Sequence, residues 1–514
     1  MKNTGNKLKR DGANLSIWQI GESQADIHPT FKTEEIFDVL IIGGGITGVT
    51  TALNLQRAGR KCLLIESRNL GFGTTGGTSA HLNSFLDATY PEIDNAFGPA
   101  ASKLLADASK EMIEAIKDNI DGLHIDADFH YKAAYLFSQN DKETQLLDDI
   151  LFSSKQAGIE VEVTSRSGVP LHFQKVLKFS NQAQFHPLKY LNGLAQEFVR
   201  LGGEISVGTF IESTAFKENL HLASSSSGDV FRAKNLVWAT HIPPGINLLS
   251  LRNAPYRSYV LAARLKDEKY PDCLAYDMQE PYHYFRSHQT NGERYLIIGG
   301  SDHKTGHGDP EEAFAELEKF AGQYFNIEKI DYRWSSQYYV PVDGLPYIGK
   351  FPGGDDRSYV ATGFNGNGMI FGSLAGHILP QLILGEETEL SQLLSPSRMK
   401  PVSGFMEFVK ENADVAYHLV ADRFKIQAIH SVNELKNGEA KIVEFEDEKL
   451  AIYKDEKGKI TALSPVCTHA GCIVSWNSQE KSWDCPCHGG RFSVHGHVIT
   501  GPPRKNLDQV DLSS

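Results

Sequence analysis

The stretch FDVLIIGGGITGVTTALNLQRAGRKCLLIES, residues 37 to 67, decides how this chain is read. Asp38 to Ile42 is a short apolar, β-branched run that stops at glycines, as a buried strand does. A helix is predicted over Val49 to Arg57, Gly59 ends it, and Cys62 to Ile65 forms a second strand. The turn between strand and helix carries Gly43-x-Gly45-x-x-Gly48, with Ile46 and Thr47 inside it. Glycines there let the backbone approach a pyrophosphate, whose charge the helix N-terminus holds. Glu66, followed by Ser67 and Arg68, stands at the end of the second strand, where it can accept hydrogen bonds from ribose hydroxyls. The unit predicts a dinucleotide site on a parallel α/β sheet. A glycine-rich turn in an unrelated α/β protein is the plain alternative.

The whole chain has 514 residues, enough for about two to four domains. A net charge of -13 argues against nucleic acid as a partner, because phosphate binding needs clustered positive charge. Four of the six cysteines fall between Cys467 and Cys487, unlike the spread of a disulfide-stapled secreted chain. The first eighteen residues are polar, with no signal-peptide core, and no apolar run reaches membrane-spanning length. A cytoplasmic location is expected.

Residues 1–34 read as a flexible tail with a short ordered piece at SIWQI. Apolar residues recur at helical spacing over 95–120, and a second helix starts at Pro187 and ends before Gly202. Strand-like runs lie at Tyr131 to Ser138, Asn235 to Ala239, Tyr256 to Leu265 and Arg294 to Ile298, and the serines at 224–227 read as a hairpin turn. This mixture predicts a parallel α/β domain (35–120, 181–250 and 338–395) interleaved with an antiparallel α+β domain (121–180 and 251–337). An amphipathic stretch over 404–424 is taken as a connecting helix within 396–425, and short strands from 426 to 514 predict a small all-β module.

Two later segments bear on which dinucleotide is bound. GFGTTGGTSAHL, residues 71 to 82, is a glycine- and hydroxyl-rich loop after the second strand, and PVDGLPYIGKFPGGDDRSYVATGFNGNGMIFG, residues 341 to 372, ends in a glycine loop before an apolar helix. Together with the first unit they resemble the D-amino-acid oxidase superfamily, over about 36–390. The resemblance implies FAD in a Rossmann-like domain of glutathione-reductase type, with the interleaved domain holding substrate. It implies flavin contacts at Gly73, Thr74, Thr75, Thr78, Ser79 and Ala80, and further contacts at Asp343, Gly344, Gly363, Asn365, Gly366, Asn367, Gly368, Met369 and Ile370. A helix N-terminus at 367–370 would stabilise negative charge on the reduced flavin. VWATH, residues 237 to 241, resembles the strand-end contact of the family through Ala239 and Thr240, but His241 stands where a glycine is usual. IIGGSDH, residues 297 to 303, has glycines and no helix after it, so a separate NAD(P)H domain is not expected.

The cysteine-rich end reads Cys467-Thr-His469-Ala-Gly-Cys472 and Cys485-Pro-Cys487-His488-Gly489. A Cys2His2 zinc site is one reading of these residue types, and it leaves two cysteines unexplained. The double box resembles Rieske iron–sulfur proteins. The resemblance implies that Cys467 and Cys485 bind one iron of a [2Fe–2S] cluster and His469 and His488 the other, with a Cys472–Cys487 disulfide tying the two loops. High-potential members carry a serine and a tyrosine where this chain has Gly490 and Phe492, so a potential near the low end, about -150 mV, is predicted.

A flavin takes a hydride and a cluster takes single electrons, which predicts a dehydrogenase that strips a small amine or amino acid at its C–N bond and feeds an external carrier such as a ferredoxin or quinone. A reductase or monooxygenase fed through the cluster, and a redox carrier or sensor with no substrate, are the competing readings; homo-oligomerisation is left open. Arg286 is the candidate to grip a carboxylate, Tyr284 and Tyr339 to add hydrogen bonds, and His81 to orient substrate or take a proton. Each also has a purely structural reading. Asp302 and His303 have similar standing and receive no role.

Overall fold

The computed structural model describes residues 8–23, 34–355, 357–398, 427–428, 434–446 and 448–512. The opening stretch forms the strand Ile36–Ile42, the helix Ile46–Arg57 and the strand Cys62–Ile65. The helix begins three residues earlier than expected, at Ile46 with Gly45 as its N-cap, because the glycine turn itself supplies its first turn. Gly43 has φ +116, and a Cβ there would lie 2.3 Å from the Ala239 carbonyl oxygen. A side chain at Gly43 would therefore force apart the two central strands.

Those strands belong to a sheet whose parallel core runs Glu204–Ser206, Cys62–Ile65, Ile36–Ile42, Val230–Trp238, Ser358–Thr362. Such strands are apolar on both faces because both are covered: helices Ile46–Arg57 and Gly368–Leu384 pack on one, and Ile211, Ala223 and Leu249 join the core on the other. A second, larger sheet is mostly antiparallel and carries Asn253–Leu265, Tyr284–Thr290, Glu293–Lys304 and Ile327–Pro341. Strand Lys175–Gln184 also belongs to it, so the second sheet reaches a few residues beyond the expected limits at 180 and 337. The helix expected over 95–120 is two helices, Tyr90–Phe97 and Pro99–Gly122, separated at Gly98 with φ +90. The serines at 224–227 do turn a hairpin, between Leu220–Ser225 and Val230–Trp238.

Toward the C-terminus two four-stranded sheets form the small all-β module. The connecting helix expected over 404–424 lies outside the described residues.

The flexible tail expected over 1–34 is corrected for residues 8–20. Leu8, Ile17 and Trp18 are buried in the main core, Ser16 Oγ donates to the Gly76 carbonyl at 2.6 Å, and Trp18 Nε1 donates to the Thr78 carbonyl at 2.6 Å. The polar composition of this stretch hid its purpose. Arg10 and Asp11 are buried because they are paired. Arg10 meets Glu480 at 2.5 Å, and Arg491 meets Asp11 at 3.0 Å and Asp484 at 3.1 Å. Arg257, from the second sheet, lies 3.8 Å from Asp484 and donates to Ser335 Oγ at 2.8 Å. Three guanidiniums thus face three carboxylates, all buried, joining N-terminal segment, second sheet and β-module. Buried charges persist only when paired and hydrogen-bonded in this way.

Candidate functional site

One cavity runs from the glycine turn to the second sheet, with the β-module closing part of it. At the nucleotide end stand Gly43, Gly45, Ile46, Thr47, Glu66 and Ser67, all expected there. Glu66 accepts from Gly44 N at 2.7 Å, Arg68 N at 2.8 Å and Ser67 Oγ at 3.0 Å. Burial pushes its carboxyl up despite these donors. Gly48 and Arg68 do not face the cavity. A Cβ at Gly48 would lie 1.8 Å from the Gly43 oxygen, so that glycine serves helix–strand packing. Arg68 instead donates to the Val498 carbonyl of the β-module at 3.1 Å.

Gly73, Thr74, Thr75, Thr78 and Ser79 face the cavity, as do Ala239, Thr240, Asn365, Gly366, Asn367, Gly368 and Met369. Asn367 gives its helix, Gly368–Leu384, no side-chain cap, so the positive end of that helix is presented to the cavity. Ala80, Asp343, Gly344, Gly363 and Ile370 stand behind this surface. Asp343 is held by Arg398 at 2.7 Å, and the Gly344 carbonyl accepts from Asn365. His241 keeps a left-handed backbone, φ +68, the conformation a glycine would adopt without strain. Its ring meets the Tyr339 ring at 4.7 Å.

The two catalytic candidates that face the cavity are His81 and Tyr284. Asn83 Nδ2 donates to Tyr276 Oη at 2.7 Å, and the same hydroxyl is hydrogen-bonded to His81 Nδ1. Burial, then the charge of Arg286, holds His81 well below its ordinary pKa, so it is neutral. The Tyr284 hydroxyl lies 3.0 Å from Ser258 Oγ, which donates to Asp302 at 2.5 Å; Tyr338 Oη donates to the other Asp302 oxygen at 2.8 Å. Burial raises Asp302 to about 7 and Asp87 to about 6.

Arg286 does not grip a ligand. Its guanidinium donates to the Ser79 and Ala80 carbonyls at 3.0 and 2.8 Å, lies 3.2 Å from His288 Nδ1 and stacks over Trp18. Burial lowers its pKa to about 9. It fixes the loop beneath the cavity, including the strained Ala80 at φ +59. Tyr339 also points elsewhere: its hydroxyl donates to the His488 carbonyl at 3.2 Å.

In the β-module Cys472 and Cys487 form a disulfide, and Cys467 and Cys485 are free and buried. Those two thiols lie beside each other. The His469 and His488 rings meet edge-on at 4.8 Å, and both ring nitrogens of buried His488 lack a partner among the described residues. Two free buried thiols and two adjoining imidazoles carried by the same two loops, with the other two cysteines bonded to each other, fit a Rieske [2Fe–2S] cluster. The glycine turn, Glu66 and the helix end fit FAD equally well.

The cluster site and the cavity are joined. Thr74 Oγ1, on the cavity wall, donates to the Gln337 carbonyl at 2.7 Å, and Gln337 Nε2 donates to the Gly489 carbonyl at 2.9 Å. A Cβ at Gly489 would lie 2.7 Å from Gln337 Nε2 and 2.9 Å from Tyr339 Oη, so the glycine permits this approach. Sequence reasoning missed this junction, together with Asn83, Asp87, Ser258, Tyr276 and Tyr338. Ser258, Tyr276 and Tyr338 lie on strands, where alternation needs the register to interpret, whereas Asn83 and Asp87 lie in the loop after His81–Leu82 and carry no periodic signal.

A family model described as FAD dependent oxidoreductase matches residues 38–382, and the Rieske [2Fe-2S] domain model matches 425–511. The chain is 34% identical over 487 residues to the putative Rieske 2Fe-2S iron-sulfur protein YhfW of Bacillus subtilis, covering 94% of this chain and 95% of that one. It is 25% identical over 370 residues to gamma-glutamylputrescine oxidoreductase of Escherichia coli, covering 68% and 84%. Among solved structures, glycine oxidase from Geobacillus kaustophilus shares the fold with a TM-score of 0.60 at 18% identity, over 71% of this chain and 99% of that one.

Proposed function

We propose that this chain, which belongs to the FAD-dependent oxidoreductase family and carries a Rieske [2Fe-2S] domain, is a dehydrogenase of a small amine or amino acid. When bound, FAD would supply a two-electron acceptor for the hydride on the carbon of the C–N bond, the nitrogen losing a proton, and the cluster would supply one-electron transfer to an external carrier of ferredoxin or quinone type.

The residues of the chain divide the rest of the work. The Gly43 turn and Glu66 hold the dinucleotide, and the end of helix Gly368–Leu384 offers N–H groups where negative charge develops. Arg286 and Trp18 hold the 78–80 loop in place, which keeps His81 and Asn83 in register with the second sheet. The observation that carries the reading is the Thr74–Gln337–Gly489 hydrogen-bonded link between cavity wall and cluster loop. A buried disulfide is shielded as a cytoplasmic setting requires, and among the described residues no helix is long and apolar enough to cross a membrane.

The test is anaerobic reduction of the holoprotein by a panel of amines and amino acids, without NADH, followed by absorbance and EPR together. Flavin bleaching followed by the signal of the reduced cluster is expected. Cluster reduction by an external donor with no bleaching by any panel member would overturn the direction of electron flow.

A further inference from the structure

We propose that the pocket facing the flavin-binding wall is built for the ammonium group of an amine that carries no neighbouring carboxylate, with Asp302 as its counter-charge. This inference rests on the dehydrogenase reading above and narrows its substrate class.

Asp302 lines the cavity with Tyr284 and Ser258; it stands on strand Glu293–Lys304, three residues past the Gly299 that pairs with Tyr284, and is bonded to Ser258 on the other neighbouring strand. Its two oxygens accept from Ser258 and Tyr338, which fixes the carboxyl while leaving lone pairs toward the cavity. A Cβ at Gly299 would lie 2.0 Å from the Tyr284 ring, so the glycine opposite Tyr284 lets that ring lie flat over the strand.

A second observation points to a donor-rich ligand. Asn83 Oδ1 is buried on the same cavity wall and has no hydrogen-bond partner among the described residues, because the amide nitrogen of Asn83 is the end committed to Tyr276. An unbroken chain of contacts runs from Asn83 through Tyr276, His81, Tyr284 and Ser258 to Asp302. A buried acceptor without a donor costs about 1–3 kcal/mol, so a ligand N–H is favoured there. Tyrosine faces add further attraction for a cation.

A carboxylate finds nothing comparable. Arg504 is the only lysine or arginine among the described residues facing the cavity, and it lies over Trp238 with a hydrogen bond to the Pro244 carbonyl, on the nucleotide sheet. Arg286 is consumed by backbone carbonyls. His81 is neutral. A buried carboxylate beside Asp302 would be unpaired and would face a like charge.

The holoprotein is titrated anaerobically with n-pentylamine and with norleucine, the same chain bearing an α-carboxylate, and with butyrate; binding is read as perturbation of the flavin spectrum and by calorimetry. Pentylammonium is expected to bind at least tenfold more tightly than either of the others. Asp302→Asn should weaken pentylammonium at least tenfold and leave butyrate no weaker. Norleucine or butyrate binding as tightly as pentylammonium overturns the assignment, as does an Asp302→Asn protein with unchanged amine affinity. If that variant loses FAD, the wild-type comparison decides alone. Selective ammonium binding with no flavin reduction by any amine would sink the dehydrogenase reading and leave the pocket assignment standing. Reduction by amino acids but not amines would do the reverse.

Discussion

Arg491 of the Rieske domain and Asp11 of the N-terminal segment pair at 3.0 Å, with both side chains almost fully buried. Arg491 also donates to the Asp11 backbone carbonyl at 2.7 Å. The same guanidinium serves Asp484, so it neutralises two carboxylates from different parts of the chain. Burial alone would raise Asp484 and Glu480, but the neighbouring arginines outweigh it and hold both carboxyls below their ordinary range.

Arg491→Ala should therefore destabilise the junction by about 3–5 kcal/mol, because two buried carboxylates lose their shared guanidinium and keep only Arg10, beside Asp11, and the more distant Arg257, beside Asp484. Denaturant unfolding followed by flavin fluorescence and by visible circular dichroism of the cluster should show the cluster signal lost first. Coincident transitions at the wild-type midpoint would refute the clamp. Replacing Trp18 by alanine, on the same segment, should cost about 3–5 kcal/mol through the cavity left behind.

Gln337 reaches both sides of the junction: its carbonyl accepts from Thr74, and its amide donates to Gly489 and accepts from Thr305 Oγ1 at 3.1 Å. Gln337→Leu keeps the backbone contact and breaks the other two, together with the bond from Gln337 Nε2 to Tyr339 Oη at 3.1 Å. Leaving the buried Gly489 carbonyl without its donor should cost about 1–3 kcal/mol. Stopped-flow reduction should show flavin bleaching at the wild-type rate and slower appearance of the reduced cluster. Equal slowing of both phases would mean that the residue shapes the substrate site instead. His241→Gly relieves about 1–2 kcal/mol of backbone strain and removes the ring that packs on Tyr339, so it should raise stability while slowing the same phase.

Much of this architecture was legible in the residues, and the exceptions have physical causes. The glycine turn, Glu66 and the paired Cys–His boxes are local signals, since each depends on neighbours within a few positions. The substrate wall is not local. On strand Ile327–Pro341 successive side chains alternate, so Tyr338 reaches Asp302 while Tyr339, one residue on, reaches the His488 carbonyl. No single sequence says which of two adjacent tyrosines faces a cavity. Arg286 shares a strand face with Tyr284, but two positions farther along it passes beneath the 78–80 loop and spends its donors there. The N-terminal segment misled by composition, because its buried charges have their partners more than 460 residues away in sequence.

Binding of a cationic amine should depend on pH through Asp302. Its carboxyl is raised to about 7 chiefly by burial, with Asp87 adding to the rise; the hydroxyls of Ser258 and Tyr338 and the nearby His283 act against it. A raised acid is neutral below that pH and charged above it. Affinity should therefore climb by on the order of tenfold between pH 6 and pH 8, as the counter-charge forms. Asp302→Asn should flatten the profile. A wild-type profile that is flat or falls over this range would remove Asp302 from the role.

The cluster potential is the remaining expectation, and it turns on two side chains. Gly490 offers no hydroxyl, and a Cβ there would stand 3.7 Å from Cys467 Sγ, close enough for a serine to reach the cluster's surroundings. Phe492 is fully buried in the same core as Cys467 and Cys485, and it too has no donor. Without the serine and tyrosine hydroxyls at 490 and 492, the added electron is less stabilised, so the midpoint should lie at about -150 mV. Phe492→Tyr should raise it by roughly 60–130 mV, the equivalent of one charge-assisted hydrogen bond in a one-electron couple. A wild-type midpoint well above about +100 mV would show that other donors replace the missing hydroxyls. An unchanged midpoint in the tyrosine variant, with the cluster intact by EPR, would place position 492 beyond reach of the sulfurs.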